Sequence, residues 1–349
     1  LDSMTFVRDN PHLRPHGAEG RLLRIDRGAY LHPAAFYPGM EPWELDRAIT
    51  LARAHALSRR VRVPSDSPDR LAPILTGEAA LIATGAEVWN QNPPITYRDD
   101  VQTRNRKPFP AVVLDGHTVA ARSAIIVGSS KSLRLDAQSH QGLILADLDT
   151  LVWDLANTLH AQAAYANLSV LLGQVVGFSN FTPESSREAE TDLKLRLIAN
   201  LSLRRGQRGI RKAQSLIRLA NAGAGSVMEA AFVWMLHCWI RPRIPWETQH
   251  KEILDGQLYF ADGAVPQKKL SLEFDGEEKL GSNTETQAQR ARAFYERSAA
   301  FLRHGWSTVS VTSAQMRNLS ATLWSLGRDL ESFGITRKAP GGPLWEDLP

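Results

Sequence analysis

The most constraining feature of the sequence is a pair of strand-like segments that carry acidic side chains on either side of a short turn. Residues 258–262 and 270–275 flank the turn-like residues 265–269, and together they predict a β-hairpin. Successive side chains of a strand point to opposite faces of the sheet. In residues 270–275 the apolar side chains therefore share one face, and Glu273 and Asp275 share the other.

The residues around this hairpin predict further elements. Ser226 is a typical N-cap, and it precedes an apolar helical pattern whose first turn contains Glu229. After the hairpin, a second helical pattern follows the candidate N-cap Thr284 and runs to a stop at Gly305, and residues 306–311 read as a strand. The order α-β-β-α-β predicts an α/β fold for the C-terminal third.

This order of elements brings acidic side chains together. If Asp262, at the end of the first strand, lies beside the face of Glu273 and Asp275, three carboxylates converge. Glu229 then reaches toward them from the helix. Repulsion makes such a cluster costly unless a divalent cation neutralises it, so the pattern predicts a metal site. Taken singly, these residues are also typical of solvent-facing strand positions and Asp-Gly turns, and that interpretation stays open for each.

With these acids in this order, the segment from about residue 225 to 325 resembles the PD-(D/E)XK nuclease superfamily. It is most similar to the small domains, related to very-short-patch-repair endonucleases, that recur at the C-terminus of actinobacterial proteins. The resemblance is carried by the acid spacing, by the run Glu273-Phe-Asp-Gly276, by Gln249 before the hairpin and by the Gly305-Trp306 ending. It implies a restriction-endonuclease-like core with a mixed central sheet.

The resemblance also implies roles for individual residues. Asp262 and Glu273 would be ligands of Mg²⁺ or Mn²⁺, and Glu229 would bind metal or orient water. The superfamily usually has a lysine two residues after the glutamate, and here Asp275, a further acid, stands at that position. Lys279 occupies about the place where related domains carry a compensating basic residue. The implied reaction is hydrolysis of a phosphodiester bond.

A basic segment precedes this domain. The sequence pI is about 9.3 at a formal net charge of +4, a mild lean toward polyanionic partners. Residues 188–222 have a helical pattern, and within them residues 203–214 contain no acid. Five cations in this stretch are candidate phosphate contacts: Arg204, Arg205, Arg208, Arg211 and Lys212. A solvated helix face is the alternative.

The N-terminal half predicts a different organisation. The turn at Gly28 and its apolar flanks predict a wing-like hairpin, and a helix is expected after Pro42. Strand-like residues 111–115 and 123–127, with a helical pattern over 145–173, predict a mixed α/β region. The predicted domains are a truncated winged-helix-like region (1–73), a mixed α/β domain (74–187), a basic helical connector (188–222), the nuclease-like domain (223–332) and a flexible tail (333–349).

Two short motifs carry a weaker resemblance for this half. Arg27-Gly-Ala-Tyr30 is similar to the wing, and residues 151–156 to a helix of the second domain, in antitoxins of type IV abortive-infection toxin-antitoxin systems. This resemblance implies a winged-helix-like element and a context in phage defence. About 15 residues precede the wing, fewer than a full helix-turn-helix requires.

Location and function follow as expectations. The single cysteine, Cys238, fits a reducing compartment, and the absence of a signal-like or membrane-spanning pattern predicts a cytoplasmic protein without a membrane partner. The first functional hypothesis is a metal-dependent DNA endonuclease. The alternative is a catalytically inactive DNA-binding regulator or antitoxin-like protein that keeps the nuclease fold as a platform. A third is a protein-binding module, and a protein partner or homo-oligomer stays open.

Overall fold

A computed structural model describes most of the chain. The described residues are 4–6, 22–32, 36–37, 39–60, 73–99, 108–129, 137–179, 182–240, 243–276 and 295–336. They form a mixture of helices and mixed sheets, which confirms the α/β class. The chain divides into two compact units, Leu1–Thr158 (unit 1) and Leu159–Pro349 (unit 2). No helix in the described ranges is both long enough and apolar enough to span a membrane.

Unit 1 begins with a small antiparallel sheet. Strands β1 (Met4–Phe6), β2 (Leu23–Asp26) and β3 (Ala29–Leu31) are arranged in the order β1-β3-β2. Gly28 has a φ of 74°, a backbone conformation that glycine adopts without steric cost, and it closes the turn between β2 and β3. The predicted hairpin is confirmed, and so is the helix after it, α1 (Pro42–Arg60).

The rest of unit 1 is built on a five-stranded mixed sheet in the order β8-β5-β4-β10-β9. The elements of this part of unit 1, in chain order, are β4 (Ile74–Leu75), α2 (Gly77–Ala83), β5 (Ile95–Arg98), β6 (Val112–Leu114), β7 (His117–Val119), β8 (Ala124–Gly128), β9 (Gln138–His140), β10 (Leu143–Leu145) and α3 (Leu148–Thr158). Strands β6 and β7 form a separate hairpin. The strands expected at 111–115 and 123–127 are confirmed.

A buried ion pair ties β5 to α3 in unit 1. The Arg98 guanidinium donates to both carboxylate oxygens of Asp154, at 2.8 Å through Nε and 2.5 Å through Nη2. The hydroxyl of Thr76 donates to the same carboxylate at 2.9 Å. The side chains of the pair are only 10% and 3% exposed. A buried charge is tolerated when its partner and its hydrogen bonds are all present, and here they are.

Unit 2 begins with four helices: α4 (Ala161–Val176), α5 (Pro183–Ser202), α6 (Ile210–Leu219) and α7 (Val227–Trp239). The helical pattern over 145–173 is two helices, since α3 ends at Thr158 and His160 caps α4. The expectation of one helical stretch over 188–222 is wrong, because residues 203–209 are not helical. Gly206 and Gly209 have φ values of 89° and 92°, which a helix does not accommodate.

The remainder of unit 2 is a four-stranded sheet in the order β11-β12-β13-β14. The elements of this part of unit 2, in chain order, are β11 (Glu247–Leu254), β12 (Gln257–Val265), β13 (Leu270–Asp275), helix α8 (described over 295–303), β14 (Ser307–Thr312), α9 (Ser313–Met316) and α10 (Leu319–Ser332). The first two pairings are antiparallel and the pairing of β13 with β14 is parallel, so the sheet is mixed. Strand β11 was not predicted.

Two helices cover the two faces of this sheet. The ring of Phe274 on β13 lies 6.5 Å from that of Phe232 on α7, so the apolar face of β13 packs against α7. Glu273 points to the opposite face, where α8 contributes Phe301 to a buried cluster with Trp306. The predicted hairpin and the alternation of β13 are confirmed. Thr284 and the tail residues 337–349 lie outside the described residues.

Candidate functional site

The first acid of the candidate site lies at the start of α7. The hydroxyl of Ser226 accepts a hydrogen bond from the Glu229 amide at 3.1 Å, which confirms the predicted N-cap. The Glu229 residue is only 8% exposed. Its carboxylate accepts from the Gly225 amide at 3.0 Å and from the side-chain amide of Gln249 at 2.6 Å. Glu229 is thus fixed in place by the loop before α7 and by β11.

Gln249 reaches Glu229 because its backbone leaves the strand conformation. Its φ is 52°, in the left-handed region that residues with a side chain rarely adopt. The pairs Thr248–Gly263 and His250–Ala261 lie on either side of it, and the β11–β12 ladder is interrupted between them. Such a conformation costs on the order of 1–3 kcal/mol and is found most often at functional positions.

Asp262 lies where the β11–β12 ladder is interrupted and where the β12–β13 ladder ends. It stands opposite Gln249 in the register with β11, and it is the next residue beyond Gly263–Leu272, the last pair with β13. Its carboxylate accepts a hydrogen bond from the Phe274 amide at 2.7 Å. The carboxylate of Asp262 is therefore held against β13 within one residue of Glu273.

Glu273 is buried under α8. Its side chain is 4% exposed, and Nη2 of Arg297 lies 3.2 Å from its Oε2. Asp275, at the end of β13, is half-buried, and its backbone carbonyl accepts from the Ser313 hydroxyl at 3.4 Å. Ser271, on the same face of β13, shares a hydroxyl hydrogen bond of 2.8 Å with Thr308. The polar face of β13 is consequently covered by protein groups.

The candidate residues are therefore brought together only in part. Among the described residues, no three His, Cys, Asp or Glu side chains are grouped so that they could hold a metal ion. The predicted convergence of Asp262, Glu273 and Asp275 is thus not formed in this arrangement, in which the Phe274 amide donates to Asp262 and Arg297 forms an ion pair with Glu273. Lys279 lies outside the described residues.

A polar network joins α5 to the loop before α7. The Arg187 guanidinium donates through Nη1 to Glu190 at 2.5 Å and to Asn221 at 2.7 Å, and through Nη2 to Thr248 at 3.4 Å. It also lies over the ring of Phe178, 4.6 Å from the ring centre. Helix α5 is therefore bonded through Arg187, the residue before the segment predicted as a connector (188–222), to the strand that carries Gln249.

Glu190 is the buried charge at the centre of this network. Burial alone would raise the pKa of its carboxyl group, but the nearby charge of Lys194, the amide of Ala222 and Arg187 together lower the pKa below its usual value. The Lys194 ammonium lies 2.7 Å from one carboxylate oxygen, which also accepts from the Ala222 amide at 3.0 Å. Glu190 is therefore ionised and holds the loop in place.

The basic segment forms a turn rather than a helix face. Arg205, Arg208 and Arg211 are exposed, and Arg204 is half-buried. The ammonium of Lys212 donates to the backbone carbonyl of Leu159 at 2.9 Å, so this candidate phosphate contact is engaged within the protein. Two further exposed arginines that sequence reasoning missed flank the turn, Arg196 on α5 and Arg218 on α6. No acid separates Asp192 from Glu229 in the sequence.

Arg187 and Arg297 were also missed as residues of the candidate site. Each lies on a helix that is distant in sequence from its partner: Arg187 is 61 residues from Thr248, and Arg297 contacts Glu273 from the far side of the β13–α8 connection. No local spacing signals such contacts. The presence of an arginine in a helix predicted to follow β13 was the only available clue.

The comparisons with known proteins identify no relative of the chain. No family model matches the sequence, and no curated protein or solved structure is significantly similar to the chain.

Proposed function

We propose that unit 2 carries a restriction-endonuclease-like core and is a metal-dependent nuclease that hydrolyses DNA phosphodiester bonds. The observation that supports this most is the position of Asp262, at the interruption of the β11–β12 ladder and the end of the β12–β13 ladder, beside Glu273 and opposite Gln249. Gln249 in turn fixes Glu229. Glu229 and Asp262 are thus both connected to the interrupted β11–β12 ladder, Glu229 through Gln249 and Asp262 by its position opposite Gln249.

The donor set suits Mg²⁺ or Mn²⁺. Magnesium is usually bound through one or two carboxylates and keeps several water ligands, so Asp262 and Glu273 are sufficient in type and number. The bound cation would polarise the scissile phosphate and lower the pKa of an attacking water. Both carboxylates must then exchange a protein donor, the Phe274 amide or Arg297, for the cation.

The other side chains have supporting roles in this proposal. Glu229, with both oxygens engaged, orients Gln249 and a water at the break in the sheet. Asp275 is a further acid at the end of β13. The exposed arginines of the 203–211 turn supply sequence-independent contacts to phosphates, since guanidinium groups pair well with phosphate oxygens. The wing-like hairpin of unit 1 is proposed as a contact to DNA or to a protein partner in phage defence.

Cleavage of DNA by matched variants tests this function. Supercoiled plasmid and single-stranded DNA are incubated with the wild type and with Asp262→Ala/Glu273→Ala in Mg²⁺, Mn²⁺ or EDTA. Asp255→Asn is the control, because it changes an exposed acid on the β11–β12 turn. We expect metal-dependent nicking by the wild type and the control, and a rate at least about a hundredfold lower in the double variant. Cleavage that survives the double variant would contradict this site.

One observation favours a second function, a catalytically inactive DNA-binding platform. Asp275 stands two residues after Glu273, and the cation nearest to Glu273 among the described residues is Arg297, which is paired with it. Equal DNA binding by wild type and double variant, without cleavage by either, would establish this alternative.

The basic turn can be tested independently of cleavage. Each phosphate contact contributes about 0.9 to the slope of log K against log salt for duplex DNA. We expect Arg205→Ser/Arg208→Ser/Arg211→Ser to lower this slope by about 2 to 3. Arg328→Ser, an exposed arginine on α10, serves as the control and should leave the slope unchanged. An unchanged slope in the triple variant would mean that the arginines of this turn do not contact DNA phosphates.

A further inference from the structure

Arg297 is the cation that faces the candidate site from α8. Its guanidinium lies 3.2 Å from Oε2 of Glu273, and its own side chain is 24% exposed, against 4% for Glu273. The nitrogen at this distance is Nη2. The glutamate is thus deep in the fold, whereas the arginine that pairs with it has access to solvent.

Burial explains why Glu273 requires a cation. An ionised carboxylate taken out of water is costly unless a positive group compensates it. In the metal-free protein Arg297 provides that compensation. If Glu273 is also a metal ligand, as the proposed function holds, a divalent cation satisfies the same requirement at the same oxygen atoms. Two cations next to one carboxylate repel each other, so the guanidinium and the metal ion compete for it.

We propose that Arg297 is a positioning residue that competes with the divalent cation for Glu273. It holds Glu273 in place while no metal is bound, and it moves toward solvent when the cation binds. Arg297 therefore sets how much metal is needed to load the site. Its partial exposure gives it the room for this exchange.

Helix α8 supplies a matched control for this proposal. Arg303 lies on the same helix and pairs with Asp255, and in that pair the side chains are 60% and 46% exposed. Neutralising Arg303 removes the same charge from the same helix without touching Glu273. Any effect of the overall charge of α8 would appear in both variants, and an effect of competition only in the Arg297 variant.

Binding of Mn²⁺ to the full chain without DNA is the test, with unbound Mn²⁺ measured by electron paramagnetic resonance. We expect Arg297→Gln to bind Mn²⁺ at least about fivefold more tightly than the wild type, the lower end of typical coupling between sites. Arg297→Lys keeps a positive charge next to Glu273, and Arg303→Gln leaves the pair of Arg297 and Glu273 intact. Both variants should therefore bind Mn²⁺ like the wild type. In Arg297→Gln/Glu273→Gln the gain should disappear.

The outcomes separate this proposal from the proposed function. Three results would overturn the competition. The first is that Arg297→Gln binds Mn²⁺ no more tightly than the wild type, and the second is that its tighter binding persists when Glu273 is also replaced. The third is that no variant binds Mn²⁺. If Arg297→Gln does not fold, Arg297→Met, which keeps the apolar stem, replaces it. A wild type that follows the expected binding pattern but cleaves no DNA would refute the nuclease function and leave the competition intact.

Discussion

Each unit contains a buried carboxylate paired with an arginine, and the two pairs are built differently. In unit 1 Arg98 donates twice to Asp154, Thr76 donates to the same group, and both partners are nearly buried. In unit 2 Nη2 of Arg297 lies 3.2 Å from Oε2 of Glu273, and the arginine is 24% exposed. Both side chains of the first pair are thus enclosed, whereas the arginine of the second pair has access to solvent.

This difference separates a structural charge from a candidate functional one. A charge pair that is closed on all sides contributes order to the fold and has no access to a substrate. Even the backbone is fitted to Arg98, because a side-chain carbon added at Gly128 would lie 2.5 Å from its Nη1. In the pair of Glu273 and Arg297 the carboxylate is buried and the arginine is partly exposed. We therefore expect the two pairs to respond differently to the loss of the arginine.

The largest expected effect is the loss of the closed pair. Arg98→Gln leaves Asp154 buried without its cation and should lower the free energy of unfolding by about 3–5 kcal/mol. Urea unfolding of the full chain measures this change. Arg24→Gln, an exposed arginine on β2, is the control and should leave the unfolding curve almost unchanged. If Arg98→Gln lowers the free energy of unfolding no more than the control does, the proposed difference between the two pairs is contradicted.

The next effect concerns Glu190, which unit 2 holds with two cations. Glu190→Gln should lower the free energy of unfolding by about 1.5–3 kcal/mol near pH 7, because its hydrogen bonds lose their charge. The pKa of Glu190 is lowered in the folded protein, so its contribution is complete above the usual value of 4.5 and is lost as the pH falls through the folded pKa.

Unfolding curves over the range from about pH 7 to 3 test this dependence. The difference between wild type and Glu190→Gln should shrink at the acidic end. Glu188→Gln, an exposed acid of the same helix, should show neither the loss nor the pH dependence. A difference that grows with acidity would mean that the carboxyl group is protonated in the fold.

The smallest of these effects is expected at Arg297. Without metal, Arg297→Gln should lower the free energy of unfolding by about 1–2 kcal/mol, less than Arg98→Gln, since Arg297 is more exposed to solvent than Arg98. Added Mn²⁺ should restore more stability to this variant than to the wild type, because a ligand that binds the folded state stabilises it. Identical responses of Arg98→Gln and Arg297→Gln to Mn²⁺ would contradict the comparison.

The sequence predicted the elements whose side chains follow a clear period. The alternation of 270–275, the Ser226 cap and the hairpin around Gly28 are all found in the structure. Strand β11 was missed because Glu247–Leu254 is an edge strand with mostly polar residues and no apolar alternation. The basic segment was read as a helix because two glycines with positive φ values interrupt it without disturbing its charge pattern.

The candidate site was less predictable than the fold. Periodicity placed Asp262 and Glu273 on neighbouring strands, but it carries no information on which donors meet their carboxylates. Those partners are the Phe274 amide, which lies beyond the end of the β12–β13 ladder, and Arg297, which a helix brings in 24 residues further along the chain from Glu273. The register of β12 and the packing of α8 decide both contacts, and both depend on tertiary structure.

Isosteric removal of the two proposed ligand charges tests the central claim most directly. The cleavage rate and the unfolding curve of Asp262→Asn/Glu273→Gln are measured on the same preparation in Mg²⁺. The proposed function predicts a folded protein whose metal-dependent cleavage has fallen at least about a hundredfold, while the Asp255→Asn control cleaves like the wild type. Unchanged cleavage by the folded double variant would contradict it.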